Sequence, residues 1–193
     1  MRWRSSQTLA LALLAAAALV WGGCGSSTGS AGSEPPPDYA KALAGSPPPL
    51  AALHKQENGL LPGGTEAYEK RIAGLRGYPV VANVWASWCL PCRTEFPTLQ
   101  KLSARYGKRV AFLGINYEDS EDAAETFLGE EPVPYPSYSD PDKHISESLG
   151  LHGGVPDTAF YDRDGKLLYV KIGQYRDESE LEADVRRYAL RSG

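Results

Sequence analysis

Apolar residues fall in short runs along this chain, and their period changes from run to run. Pro79 to Ala86 (PVVANVWA) is apolar and β-branched and predicts a buried central strand. Cys92 to Tyr106 repeats apolar positions at Phe96, Leu99, Leu102 and Tyr106, which predicts a helix ending at Gly107. Pro97 falls inside that helix and should bend it. Upstream, Tyr68, Ile72 and Leu75 give Thr65 to Leu75 helical spacing, closed by Gly77. Arg109 to Asn116 is a second buried-type strand, and Ser120 to Leu128 a helix with Ser120 and Asp122 as its starting signal. Asp140 to Leu149 reads as a short helix or turn. Thr158 to Asp162 and Lys166 to Ile172 alternate like strands joined by the hairpin signal Asp164-Gly165. Asp177 to Leu190 closes the pattern as an amphipathic helix whose Asp177 and Glu180 predict a capping box. This order predicts an α/β fold: a central mixed β-sheet flanked by helices on both faces.

The N-terminal pattern is different. Arg2 and Arg4 precede an almost unbroken apolar run from Thr8 to Trp21, and Gly22, Gly23 and Cys24 follow. Charge, apolar stretch and small residues have the layout of an export signal. The run falls short of the ~20 apolar residues of a transmembrane helix. Small residues before Cys24 resemble a bacterial lipoprotein box, in which the cysteine is lipidated; Trp21 stands where that pattern usually has Leu. The expected alternatives are lipidation of Cys24, which would tether the protein to a membrane surface, and plain cleavage or an uncleaved anchor. Residues 25–49 are rich in Gly, Ser, Pro and Ala and read as a tether. Order is expected to begin near Leu50 to Leu61. The domain boundaries expected are therefore 1–24 signal, 25–58 linker and tether, and 59–193 folded domain.

The chain has 193 residues and a net charge of −4, which becomes −6 once Arg2 and Arg4 are removed with the signal. No basic stripe points to nucleic acid. Three cysteines are too few for a structural disulfide framework. Two of them, Cys89 and Cys92, are spaced C-x-x-C in Trp88-Cys89-Leu90-Pro91-Cys92, directly between the first predicted strand and the long helix. Such a pair is either a redox centre or half of a metal site. Structural zinc needs about four ligands, and the further candidates are His54, His144, His152 and carboxylates. A metal is not expected.

A C-x-x-C at a helix start has a specific physical use. Unpaired backbone N–H groups and the helix dipole stabilise a thiolate there. The thiolate is the form that attacks a disulfide. Cys89 is expected to be the exposed nucleophile and Cys92 the more buried resolving thiol. Pro91 stiffens the turn and lacks an N–H that would otherwise be an orphan. Trp88 gives an aromatic wall beside the sulfur.

The run from Val81 to Pro97 (VANVWASWCLPCRTEFP) resembles the thioredoxin superfamily, and within it the extracytoplasmic TlpA/ResA/DsbE-like reductases, some of which serve cytochrome c maturation. The resemblance covers roughly residues 59–190 and implies a thioredoxin-like fold. Pro97 matches the family's helix-kinking proline. Asn83 stands where cytoplasmic thioredoxins carry a buried Asp, as in the membrane-tethered branch. Glu95 matches an acidic residue of that branch. In a partly buried setting its pKa should rise, which fits a proton relay for the thiols; the competing reading is a surface Glu favoured by the helix start. Gly153-Gly154-Val155-Pro156-Asp157-Thr158 resembles the family's cis-proline loop, in which a cis Val155–Pro156 bond presents the Val155 backbone to an extended peptide. His152, beside two glycines, reads as a solvated loop residue. Gly114 to Asp119 and Tyr135 to Asp142 resemble the insert of the cytochrome-maturation reductases.

The resemblance implies that Cys89, Cys92, Glu95 and Pro156 carry the chemistry and that Trp88, Leu90, Pro91 and Val155 meet the substrate. No cofactor beyond the redox-active Cys89–Cys92 disulfide is expected. The implied partners are protein disulfides, apocytochrome c among them, a membrane thiol electron donor and a membrane surface. The implied location is the bacterial cell envelope, anchored or secreted. A disulfide oxidant or isomerase is the alternative, since Leu90-Pro91 does not settle the direction of transfer. A thiol peroxidase is disfavoured because the Pro- and Thr-bearing loop of that family is absent.

Overall fold

The computed structural model describes residues 35–191, all within one compact unit of the chain. The expected signal segment and Cys24 lie outside the described residues.

Six strands form one sheet in the order β1-β4-β3-β2-β5-β6. They are β1 (Leu60–Leu61), β2 (Val80–Trp85), β3 (Ala111–Tyr117), β4 (Ser137–Asp140), β5 (Asp157–Tyr161) and β6 (Leu167–Ile172). The first four strands in that order run parallel, and β5 and β6 run antiparallel to their neighbours. This is the mixed α/β arrangement expected.

The helices are α1 (Tyr39–Ala42), α2 (Pro48–His54), α3 (Gly64–Gly74), α4 (Leu90–Tyr106), α5 (Glu121–Glu130), α6 (His144–Ser148) and α7 (Glu178–Asp184), the last continuing as a π-helical turn over Val185–Leu190. The side-chain period of two in β2 sorts them into layers. Val81 and Trp85 join a buried cluster with Phe96, Leu99 and Leu102 of α4, Phe127 of α5 and Leu181 of α7. Val80, Ala82 and Val84 join a second cluster with Tyr68 and Ile72 of α3 and Ile145 of α6. Asn83 shares the first face and so looks toward α4.

Local signals explain several boundaries. Ser120 accepts the Ala123 N–H and starts α5. Asp177 accepts the Glu180 N–H and starts α7. Glu180 reaches one residue further than a capping box would, accepting from the Arg176 N–H (2.9 Å).

Two expectations need correction. The segment 25–58 is not a tether throughout: α1 and α2 lie within it, and Leu50 and Leu53 are fully buried in the second cluster. Proline at Pro48 and Pro49 opens α2, where its missing N–H costs nothing. The composition that suggested a tether therefore starts a helix instead. The second correction concerns Tyr135 to Asp142, whose β4 was not anticipated. This strand is short, polar and preceded by Pro132, Pro134 and Pro136. Its buried polar side chains at both ends have partners: Ser137 Oγ accepts the Trp85 indole N–H (3.1 Å), and Asp140 accepts the Ile145 and Ser146 N–H groups at the start of α6 (2.9 Å each).

Burial of the α2 leucines makes a direct prediction. Leu53→Ala should lower the free energy of unfolding by about 2–5 kcal/mol, the usual cost of removing a fully buried leucine side chain. Urea unfolding followed by circular dichroism checks this; a change under about 0.5 kcal/mol would return α2 to the status of a loose tether.

Candidate functional site

Strand β2 ends at Trp85, and Ala86 to Trp88 turn the chain into α4. Cys89 is the N-cap of α4 in extended conformation, and its sulfur accepts the Cys92 N–H (3.1 Å). Leu90 and Pro91 occupy the first two helical positions. Cys89 and Cys92 are joined as a disulfide with Cα atoms 5.2 Å apart. One backbone N–H is thus already aimed at the Cys89 sulfur, where it would stabilise a thiolate after reduction.

The expected exposure of Cys89 is not found. Cys89 keeps 3 % of its accessible surface and Cys92 1 %. The N-cap geometry turns the Cys89 sulfur inward, onto the Cys92 amide and sulfur. Trp88 and Leu90 are the exposed residues here, at 58 % and 73 %. They are large apolar side chains facing solvent, directly before and after Cys89 in the chain.

The Val155–Pro156 bond is cis. Val155 packs against the buried cluster that contains both cysteines, while Pro156 is itself buried. His152 is exposed in the loop before it. Asp157 follows and begins β5, which pairs antiparallel with β2.

Glu95 lies one turn beyond Cys92 and is 3 % exposed. One carboxylate oxygen accepts the Asn83 amide N–H (3.2 Å) and the other accepts the Tyr175 backbone N–H (3.2 Å). The same Asn83 amide also donates toward the Asp157 carbonyl and the Thr158 hydroxyl (3.3 Å each). Burial pushes the Glu95 carboxyl up to about 7, against the opposing pull of the Tyr175 N–H and Lys171. Of the two readings left open for Glu95, the surface one is thereby excluded: this is a buried carboxyl that titrates near neutrality. Asp157 is raised by burial in the same direction, moderated by its bond from the Gly173 N–H (2.8 Å).

A clamp around the active-site turn was not anticipated. Asp119 accepts the Ser87 N–H (2.6 Å), the Ser87 hydroxyl (2.9 Å), the Asn116 amide (3.0 Å) and its neighbour Ser120 N–H (3.0 Å). The Trp88 indole N–H donates to the Glu118 carbonyl (3.1 Å). The segment after β3 therefore holds the two residues that precede Cys89. Its only signal in the sequence was the likeness of Gly114 to Asp119 to an insert.

A mixed sheet with a C-x-x-C disulfide at the start of its long helix, and a cis-proline directly before β5, defines a dithiol–disulfide protein of the thioredoxin fold. The Redoxin family model matches residues 56–185. The thiol:disulfide interchange protein DsbE of Escherichia coli (strain K12) is 36 % identical over 166 residues, 86 % of this chain and 82 % of that protein. The DsbE of Pseudomonas fluorescens biotype C is 44 % identical over 102 residues, 52 % of this chain, and the match spans about half of that relative's length (55 %). A solved secreted disulfide oxidoreductase of Mycobacterium tuberculosis, described as homologous to E. coli DsbE, superposes with a TM-score of 0.54 at 27 % identity, covering 60 % of this chain and 85 % of that one. The chain belongs to the Redoxin family, in its DsbE-like thiol:disulfide interchange group.

The raised Glu95 carboxyl predicts a pH-dependent stability. Between the unfolded value of 4.5 and the folded value of about 7, the folded state binds more protons than the unfolded state. Stability from this site therefore falls as pH rises through that window. Glu95→Gln removes the titration. Between about pH 5 and about pH 8, the wild type should lose on the order of 3 kcal/mol relative to the variant. Parallel denaturation profiles for the two proteins would contradict a buried, neutral-range carboxyl.

Proposed function

We propose that this protein is an extracytoplasmic thiol–disulfide oxidoreductase that reduces disulfides in protein substrates, in the service of cytochrome c maturation. The observation that carries the reading is the Cys89–Cys92 disulfide at the N-terminus of α4, with the buried Glu95 one turn beyond Cys92.

In the reduced form, Cys89 thiolate attacks one sulfur of the client disulfide and forms a mixed disulfide; the other client sulfur leaves as a thiolate. Cys92 then loses its proton and attacks Cys89, releasing the second client thiolate. The client gains two electrons, and Cys89–Cys92 becomes oxidised. Glu95 is the group that takes up and returns the Cys92 proton, since its carboxyl changes charge near neutral pH. Trp88, Leu90 and Pro91 face the client on one side and the Val155 backbone on the other, with an extended peptide held as an added strand would be. A membrane thiol donor restores the dithiol.

Arg2, Arg4, the Thr8 to Trp21 run and Cys24 support export and a lipid anchor. The Mycobacterium relative's description as secreted supports the same side of the membrane. The names of the relatives support protein disulfides as substrates and favour this reading over a peroxidase.

Insulin-disulfide reduction with dithiothreitol as donor tests the assignment. Cys89→Ser should lose activity to background, and Cys92→Ala should retain a trapped mixed disulfide with the substrate. Full turnover by Cys89→Ser would remove the nucleophile from this site. A reduction potential toward ~−270 mV fits a reductant, whereas one near ~−120 mV would make the protein an oxidant.

A further inference from the structure

Lys171 lies near the end of β6, opposite Thr158 of β5. Its ammonium donates to three consecutive carbonyls, those of Ile172 (3.0 Å), Gly173 (3.4 Å) and Gln174 (3.5 Å). It also stands 5.2 Å from the centroid of the Tyr175 ring. Gly173 takes a positive φ of 80°, a conformation open to glycine at little cost. With the carbonyls gathered on one cation, two amides of the same turn point elsewhere. The Gly173 N–H goes to Asp157 Oδ1 (2.8 Å) and the Tyr175 N–H goes to Glu95 Oε2 (3.2 Å).

We propose that Lys171 is a positioning residue for thiol–disulfide exchange: its side chain pins the 172–174 carbonyls and thereby turns the Gly173 and Tyr175 amides onto the two buried carboxyls, Asp157 and Glu95. The proposal deepens the oxidoreductase reading and rests on it for its effect on turnover, but not for its effect on the carboxyls.

Two forces act together here. Two backbone N–H groups and one ammonium favour the carboxylate forms; burial opposes them. The balance leaves Glu95 titrating near neutral pH, the range in which a relay group works. The charged and titratable groups around Glu95 come from several elements: Asp157 on β5, Lys171 on β6, Glu180 on α7, and Tyr135 and Tyr175 on loops. Glu180 is paired with Arg176 (3.3 Å), while Lys171 acts on both carboxyls. Loss of the ammonium would free the turn and remove this positive charge in one step.

The test has two independent readouts on Lys171→Met, Lys171→Arg, Glu95→Gln and the Lys171→Met/Glu95→Gln double variant. The first is carbon-13 NMR titration of the Glu95 and Asp157 side-chain carboxyls in the oxidised proteins, with the Gly173 and Tyr175 amides followed in the same samples. Lys171→Met should move the Glu95 titration up by about one pH unit and shift both amides; Lys171→Arg should stay close to wild type. Unchanged titrations and amides in a folded Lys171→Met protein would overturn the proposal. The second readout is the pH profile of insulin reduction. Lys171→Met should displace the limb that belongs to Glu95 upward, and the displacement should vanish in the Glu95→Gln background. A displacement that persists there would also overturn the proposal. Absence of insulin reduction in the wild type would sink the oxidoreductase reading alone, because the carboxyl titrations would still report on the turn.

Discussion

The hydrogen-bonded burial of the Glu95 carboxyl is the constraint on which this site is organised. A carboxyl in an apolar core is costly unless its oxygens have donors. Here one oxygen takes the Asn83 amide from the central strand, and the other takes the Tyr175 N–H from the segment leading into α7. Those two bonds join β2, α4 and the β6–α7 connection at one point. Cys92 lies one turn before it on α4, and Cys89 caps the start of the same helix.

That arrangement divides the labour in the site. The helix start and the Cys92 N–H, which already meets the Cys89 sulfur, would stabilise negative charge there after reduction. The buried carboxyl, by contrast, is disposed toward its neutral form. Both groups belong to the same helix and its cap. Pro97 sits two residues beyond Glu95 and cannot supply the N–H that would close onto Arg93, so α4 is loosened just past the site.

Large apolar side chains are exposed on the segments that carry this centre. Trp88 and Leu90 face solvent beside the disulfide, and Ile172, opposite Asp157 in the sheet register, is 63 % exposed. Asp119 holds Ser87, and the Glu118 carbonyl holds the Trp88 indole, so Trp88 is tied to the segment after β3.

The central strands and all the longer helices were legible in the sequence because each carries its own period, and the C-x-x-C pair was legible at a helix start because it falls between a strand pattern and a helix pattern. The Pro-rich α2 and the polar β4 were not legible. Their stability comes from partners distant along the chain: the cluster that buries Leu50 and Leu53, and the Trp85 indole and α6 amides that satisfy Ser137 and Asp140. Glu95 could be picked out by its position, but its burial, its two donors and its near-neutral titration arise only when residues 83, 95 and 175 meet. The same holds for Asp119 and Lys171, whose hydrogen bonds reach side chains and carbonyls that local sequence pattern does not reveal. Local chain geometry decided where the cysteines sit; the folded environment decided how their neighbours hold charge, because desolvation and hydrogen bonding depend on what packs around a group and not on what precedes it.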